Sequence, residues 1–447
     1  MKIRSNKRYI AFSMIFLLLF SIIQIPSRSY AQDTLDVHAD AAIIIEPTTG
    51  KVLYGKNIDT PLGIASMTKM MTEYLMFEAI EQKKISWEQE VTISDKIYEV
   101  SQDTSLSNVP LLAGEPYTIR ELYEALAIYS ANGATMAIAE AIAGTESKFV
   151  EMMNAKAEEL GLEHYKFVNS TGLNNASLKG KHPEGTGPDD ENMMSARSTA
   201  QLAARLLRDY PQVLETASIP KKKFRDIPGE MKNWNKMLPS LLFEYPGVDG
   251  LKTGTTDFAG HCFTGTATRG DFRVITVVMG ATDANGNETE RDRFDETKKL
   301  MEYAFNNYSM KEILPANYQV KDNESLAVDK GKEKSVKIQT DESLTMVVKN
   351  GEEKAYQPVL TIDKKKLNKE GELTAPIKKG EQIGTLEISY QGQEDLGFVS
   401  DNLKPVVKVV AAEDVEKANW FVLMMRGIGG FFSNLWTGIT DTVKGWF

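Results

Sequence analysis

A serine three residues ahead of a lysine, Ser66-Met67-Thr68-Lys69, opens what reads as a helix running on through Leu75. Residues three apart on a helix share a face, so the lysine amine falls beside the serine hydroxyl one turn earlier. A free hydroxyl is a poor nucleophile and needs an adjacent base. A lysine serves as that base only when neutral, and desolvation together with a neighbouring cation lowers its pKa. The pair therefore describes nucleophilic catalysis, provided a second cation stands close by. At a helix start, Ser66 would also find unpaired backbone N–H groups suited to a developing oxyanion.

The spacing alone is unspecific. Ser-x-x-Lys arises about twice by chance in a chain of this composition, and Ser218-Ile219-Pro220-Lys221 is a second instance, its proline unsuited to the helix that would align the pair. A plain N-cap at Ser66 with a solvated Lys69 is the competing reading. Two further stretches weigh against it. Ser130-Ala131-Asn132-Gly133 sits at the break between two helical patterns, where side chains two apart can project to one side. Lys252-Thr253-Gly254 opens a strand, its glycine allowing another backbone to approach closely. A literal Ser400-Asp401-Asn402 comes after Lys-Thr-Gly, within a β-rich region, so order and context set it aside.

Ser-x-x-Lys, Ser-x-Asn and Lys-Thr-Gly, in that order, mark penicillin-recognising serine enzymes. Through Ala65–Thr72, Tyr129–Asn132, Gly250–Thr256 and Arg293–Lys299, the chain resembles the low-molecular-mass penicillin-binding proteins that are D-alanyl-D-alanine carboxypeptidases. The resemblance spans essentially the whole sequence. It implies that Ser66 is the nucleophile, Lys69 its base and Ser130 a proton relay to the departing amine. Lys252 would keep this cluster electropositive and help hold the ligand carboxylate. Asn132 would bond the substrate backbone, and the N–H groups of Ser66 and Thr255, beside Gly254, would form the oxyanion hole. Arg293 would meet the terminal carboxylate together with Thr253, the alternative being a surface helix charge beside Asp292. Peptidoglycan stem peptides ending in D-Ala-D-Ala would be the substrates and β-lactams covalent inhibitors, with no metal or organic cofactor.

Two rivals share these motifs. A class A β-lactamase adds a Glu-x-x-x-Asn deacylating element, and the corresponding window here, Glu163 to Asn169, lacks that spacing. A non-catalytic penicillin-binding sensor or scaffold is not separated by the motifs.

The surrounding elements must hold these residues together. Lys2, Arg4, Lys7 and Arg8 precede the apolar run Ile10 to Phe20, and Ser29-Tyr30-Ala31 supplies small residues for cleavage, the pattern of a secretory signal peptide over 1–31. A retained membrane anchor is the alternative, although the run is on the order of 16 residues where a span needs about 20. An exported chain could use disulfides, yet Cys262 is its single cysteine and reads as a small buried residue. The four histidines are scattered, which leaves no metal motif, and a net charge of -10 argues against a nucleic-acid partner.

Ala41 to Tyr54 reads as a hairpin around Pro-Thr-Thr-Gly. Helical periods follow at Ile119 to Tyr129, behind the capping box Thr118-x-x-Glu121, then at Gly133 to Ala143, Ser147 to Leu160 and Ser195 to Asp209. Strands return with Lys252, His261 to Thr268 and Phe272 to Met279, before a closing helix from Asp292 to Asn307. One antiparallel sheet, with the hairpin beside the later strands and helices covering it, buries all of these. The expected class is α/β, in the α+β sense, a β-lactamase/transpeptidase-like domain over 32–310. An all-β domain follows over 311–412 and an amphipathic helix over 413–447, whose stripe Trp420, Met424, Ile428, Phe431, Leu435, Ile439, Val443 and Trp446 suits a membrane surface or a protein-docking face. Export to the outer face of the cytoplasmic membrane follows from the two ends of the chain.

Overall fold

The first hairpin pairs β1 (Ala39–Glu46) with β2 (Lys51–Lys56), and the Glu46 carboxylate closes its turn by accepting from the N–H groups of Thr48 and Thr49. The structure, a computed structural model, describes residues 35–392, 395–400 and 403–425. The signal-peptide segment 1–31, Asp401, Asn402 and the stripe beyond Met425 lie outside the described residues. From Val37 onward the described residues form one compact unit.

Three later strands complete the sheet: β3 (Val248–Thr256), β4 (Gly260–Arg269) and β5 (Phe272–Ala281). The order is β3-β4-β5-β1-β2, every neighbour antiparallel, with Ala42 of β1 opposite Val278 of β5. β1 reads Ala-Asp-Ala-Ala-Ile-Ile-Ile-Glu, without polar alternation, because layers cover both faces of this central strand. Ile43 and Ile45 join Val277 and Met279 in the larger core.

Helices α1 (Lys69–Glu81), α2 (Asp95–Ser101), α3 (Ile119–Tyr129), α4 (Asn132–Ala143), α5 (Glu146–Glu159), α6 (Ala196–Asp209) and α7 (Val213–Ala217) follow in order. The capping box at Thr118 forms as expected, with both reciprocal bonds to Glu121. α6 lies on β1 and β5, and α1 packs among α4, α5 and α6. α1 is therefore enclosed on all sides, which is why Met70, Met71, Leu75, Met76 and Phe77 show no apolar stripe. The helix after β5, α8 (Asp292–Asn307), covers the opposite face, where Phe294 meets Phe263 of β4 edge-on at 5.4 Å.

The β-rich region pairs β6 (Tyr308–Leu314) with a later strand, and places β7 (Ser325–Asp329) and β8 (Ser335–Thr340) in a second sheet. β9 (Leu344–Lys349) is the partner of β6. The second sheet runs β10 (Tyr356–Ile362), β11 (Gln382–Tyr390), β12 (Val406–Ala411), β8, β7, with Leu373–Thr374 at its edge. Its core includes Val336, Ile338, Leu386, Val407 and Val409. This core extends past residue 412: Val415 is buried and exchanges backbone hydrogen bonds with Ile377 at 2.9 Å. The helix begins only at Trp420, later than the expected 413.

A strap from the β region reaches back to the first hairpin. Val52 donates to the Gly397 carbonyl at 3.0 Å and Val399 to the Gly50 carbonyl at 2.8 Å, while Val399 and Leu403 join the larger core. The stretch around Ser400 thus has a packing role.

Candidate active site

Ser66 lies in a 3-10 turn, Ala65–Thr68, that continues directly into α1. The competing reading, a capping serine with a solvated lysine, fails on Lys69, which has no exposed surface. Its Nζ stands 3.0 Å from Ser66 Oγ, 2.8 Å from Asn132 Oδ1 and 2.7 Å from the Thr171 carbonyl. A neutral amine has two hydrogens and one lone pair. Donating to the Asn132 and Thr171 oxygens aims the lone pair at the Ser66 hydroxyl, the geometry a general base requires. Burial, and then the positive charge of Lys252, hold the Lys69 pKa well below that of an ordinary lysine. The shift favours the neutral amine that a base requires.

Ser130 is the C-cap of α3, in the left-handed conformation at φ 58 and ψ 30, and Asn132 begins α4 two residues later. A non-glycine residue there stores backbone strain, typical of positions over-determined by their surroundings. The Ser130 Oγ is buried and has no hydrogen-bond partner among the described residues. A buried hydroxyl left open is what a proton relay to an incoming group needs. Asn132 has partners within the protein that the motif did not foretell: its Oδ1 accepts from Lys69 and its Nδ2 donates to the Ser107 carbonyl at 3.0 Å. The amide therefore orients the lysine, with acceptor and donor capacity left for a substrate amide.

Lys252, Thr253 and Gly254 stand in the middle of β3 rather than opening it, paired with Thr264, Phe263 and Cys262 of β4. A Cβ on Gly254 would come within 2.6 Å of the Ile64 carbonyl and 3.2 Å of the Ser66 nitrogen. The glycine is what lets β3 lie against the turn that carries Ser66. Lys252 is buried and donates to the Thr253 carbonyl at 3.0 Å. Arg293 is buried too, which removes the surface-charge alternative. Its Nη1 donates to the Gly254 carbonyl at 2.9 Å and to Thr255 Oγ1 at 2.8 Å, which ties the guanidinium to β3 one pleat beyond Thr253 on the same strand face. All nine residues singled out by the motifs lie on the 3-10 turn, α1, the α3–α4 junction, β3 and α8. The decoy Ser218 ends α7, and Lys221 is exposed on a separate two-residue strand.

The spacing arguments missed the segment Asn169 to Gly172, which supplies the third partner of Lys69. Asn169 Oδ1 accepts from Thr171 N, Thr171 Oγ1 and Gly172 N at 3.1, 3.0 and 2.7 Å, fixing the Thr171 carbonyl toward the amine. Gly172 has φ +81, and a Cβ there would lie 1.8 Å from the Ala65 carbonyl. The signal was Asn-Ser-Thr-Gly, turn chemistry directly before a residue that must be glycine. Cys262 fills its expected structural role: it is buried, burial pushes its thiol up to about 11, and Sγ lies 3.2 Å from the Ala259 carbonyl. No cluster of His, Cys, Asp and Glu able to hold a metal occurs among the described residues.

A family model described as D-alanyl-D-alanine carboxypeptidase matches residues 27–283. The chain belongs to that family. A second model, the C-terminal domain of penicillin-binding protein 5, matches residues 308–417 of this carboxypeptidase. The chain is 33% identical to the D-alanyl-D-alanine carboxypeptidase DacF of Bacillus subtilis over 88% of its own length and 89% of the relative's. It is 29% identical to DacC of Escherichia coli over 98% and 97%. Among solved structures, a peptidoglycan synthesis regulatory factor (PBP3) of Streptococcus pneumoniae superposes with a TM-score of 0.72 at 35% identity, covering 85% of this chain and all of that one. Penicillin-binding protein D2 of Listeria monocytogenes, solved in a cefotaxime-bound form, matches at a TM-score of 0.51 and 31% identity over 61% of this chain. The protein is a serine-type D-alanyl-D-alanine carboxypeptidase, a penicillin-binding protein of low molecular mass that functions on the cell wall.

Proposed function

We propose that Ser66 attacks the carbonyl of the penultimate D-alanine in peptidoglycan pentapeptide stems, releasing the terminal D-alanine and forming an acyl-enzyme that water then hydrolyses. Lys69 takes the Ser66 proton, and Ser130 returns one to the departing amine. The N–H groups of Ser66 and Thr255 receive the oxyanion, Lys252, Thr253 and Arg293 the substrate carboxylate, and Asn132 the peptide backbone. The observation that carries this reading is the buried Lys69 amine, 3.0 Å from Ser66 Oγ with its other two partners both acceptor oxygens. β-Lactams would acylate the same serine.

Deacylation of the penicilloyl form should be slow. A departed D-alanine leaves room for water, whereas the leaving group of a β-lactam stays tethered to its product. In this chain the 163–169 window offers only an exposed Glu163, and the partner that reaches Lys69 from just beyond it is the Thr171 carbonyl. Loss of a placed general base is worth about 10²- to 10⁴-fold. The test measures D-alanine release from a Lys-D-Ala-D-Ala peptide alongside the lifetime of the penicillin adduct. Peptide turnover with an adduct on Ser66 lasting minutes is expected. Rapid penicillin hydrolysis without peptide cleavage would decide for a β-lactamase, and acylation without either for a sensor.

The signal-peptide pattern supports export, and the tail supports attachment at the membrane surface. Trp420 and Phe421 are 74% and 53% exposed. No helix among the described residues is long and apolar enough to cross a membrane.

A further inference from the structure

Glu73 is an acidic residue in the enclosed part of α1, 4% exposed, at a position where the neighbouring residues are apolar or hydrogen-bonded. It follows Lys69 by one helical turn and Ser66 by two. Side chains at such spacings share a stripe and lean toward the helix N-terminus, so Glu73 stands over the turn that carries the base. Nothing in the acyl-transfer scheme uses it.

The site around it is crowded with cations. Lys69 from α1, Lys252 from β3 and Arg293 from α8 are all buried. Arg293 has its own carboxylate, Glu290, at 3.3 Å. The two lysines are bonded to uncharged atoms: Ser66 Oγ, Asn132 Oδ1 and the Thr171 carbonyl for one, the Thr253 carbonyl for the other. Catalysis asks opposite things of them, a neutral Lys69 and a charged Lys252. Two buried ammonium groups side by side are costly, and one buried carboxylate makes the state with a single charged lysine neutral overall.

The field of Glu73 falls unequally on the pair. For Lys252, burial lowers the pKa, and Glu73 is the strongest charge acting on it, opposing that fall more than Arg293 assists it. For Lys69 the repulsion of Lys252 exceeds the attraction of Glu73. Burial in turn raises the Glu73 pKa to about 7, and Lys252, ahead of Lys69, opposes that rise. Tyr123 of α3 faces Glu73 as a neutral phenol whose pKa is held well above its usual value.

We infer that Glu73 is a positioning residue that sorts the proton between the two lysines, holding Lys252 cationic while Lys69 stays the neutral base. This rests on the assignment of Ser66, Lys69 and Lys252 to the site. The carboxylate acts through the lysines and need not touch substrate.

The experiment compares wild type, Glu73→Gln and Glu73→Asp as full chains, measuring penicillin acylation rate and kcat/KM for a D-Ala-D-Ala peptide against pH, with mass spectrometry of the acylated residue. Removing the negative charge lowers the proton affinity of both lysines. In Glu73→Gln the alkaline limb, where Lys252 loses its charge, should move to lower pH by about one unit, and KM for the carboxylate-bearing peptide should rise about tenfold on that limb. Glu73→Asp, which keeps the charge, should restore most of both. A packing role predicts the reverse order, with isosteric glutamine tolerated and aspartate impaired, and that order would overturn the inference. So would profiles that superimpose while Ser66 is acylated in all three proteins. Acylation at a residue other than Ser66 in the wild type would overturn the site assignment and this inference together.

Discussion

The chain carries the Ser-x-x-Lys spacing twice, and the two copies fold into different things. At Ser66 the spacing spans a 3-10 turn and the first residue of a buried helix, and Lys69 is packed until its amine has three fixed partners. At Ser218 the same spacing straddles the end of α7. Ser218 caps that helix in the αR region, Pro220 cannot continue it, and Lys221 points into solvent from a two-residue strand paired with Lys232. A serine and a lysine so spaced can serve as nucleophile and base only where the backbone continues as a helix and the environment desolvates the amine. Burial, more than spacing, converts the motif.

The largest test of that contrast is exchange of the two serines. Ser66→Ala should abolish covalent labelling by penicillin and D-alanine release without lowering the unfolding midpoint, whereas Ser218→Ala should change neither. Labelling retained in Ser66→Ala would erase the distinction. Next come the cations. Lys69→Ala and Lys252→Ala should each slow acylation by about 10²- to 10⁴-fold, and Lys221→Ala should leave the rate unchanged. The Lys252 variant has a further signature. Its charge lowers the Lys69 pKa, so removing it raises that pKa, the base is protonated at higher pH, and the acid limb of whatever acylation remains should move upward.

A smaller effect, on stability, probes the backbone that sets the contrast. Gly172→Ala puts a methyl 1.8 Å from the Ala65 carbonyl at a φ that disfavours side chains, and should cost at least about 2 kcal/mol in urea unfolding. Gly180, also at positive φ but in open space, should cost less when changed to alanine. The smallest effect is expected from the tail. A chain ending at Asn419 keeps Val415 in the β core and should match the full chain on short peptides while losing binding to lipid vesicles. Equal vesicle binding by both forms would put the tail in protein packing.

Much of this protein is legible in its sequence because the signals are local. Capping at Thr118, the turn after Glu46, the apolar periods of the helices and the two strands that follow Lys-Thr-Gly depend on residues within a few positions of one another, and each forms where those residues stand. The ordered motifs mark the same chemistry because a base one turn from its nucleophile is also a local relation. What the tertiary structure decided depends on contacts between distant segments. Arg293 bonds Thr255 across 38 positions, Asn132 holds Lys69 across 63, and Thr171 reaches it across 102. No spacing rule spans such intervals. Glu73 is the sharpest case: in the sequence it is an ordinary helical glutamate, and only the closure of α1 on every side, with Lys252 brought up on β3, turns it into a buried carboxyl group in the field of two lysines.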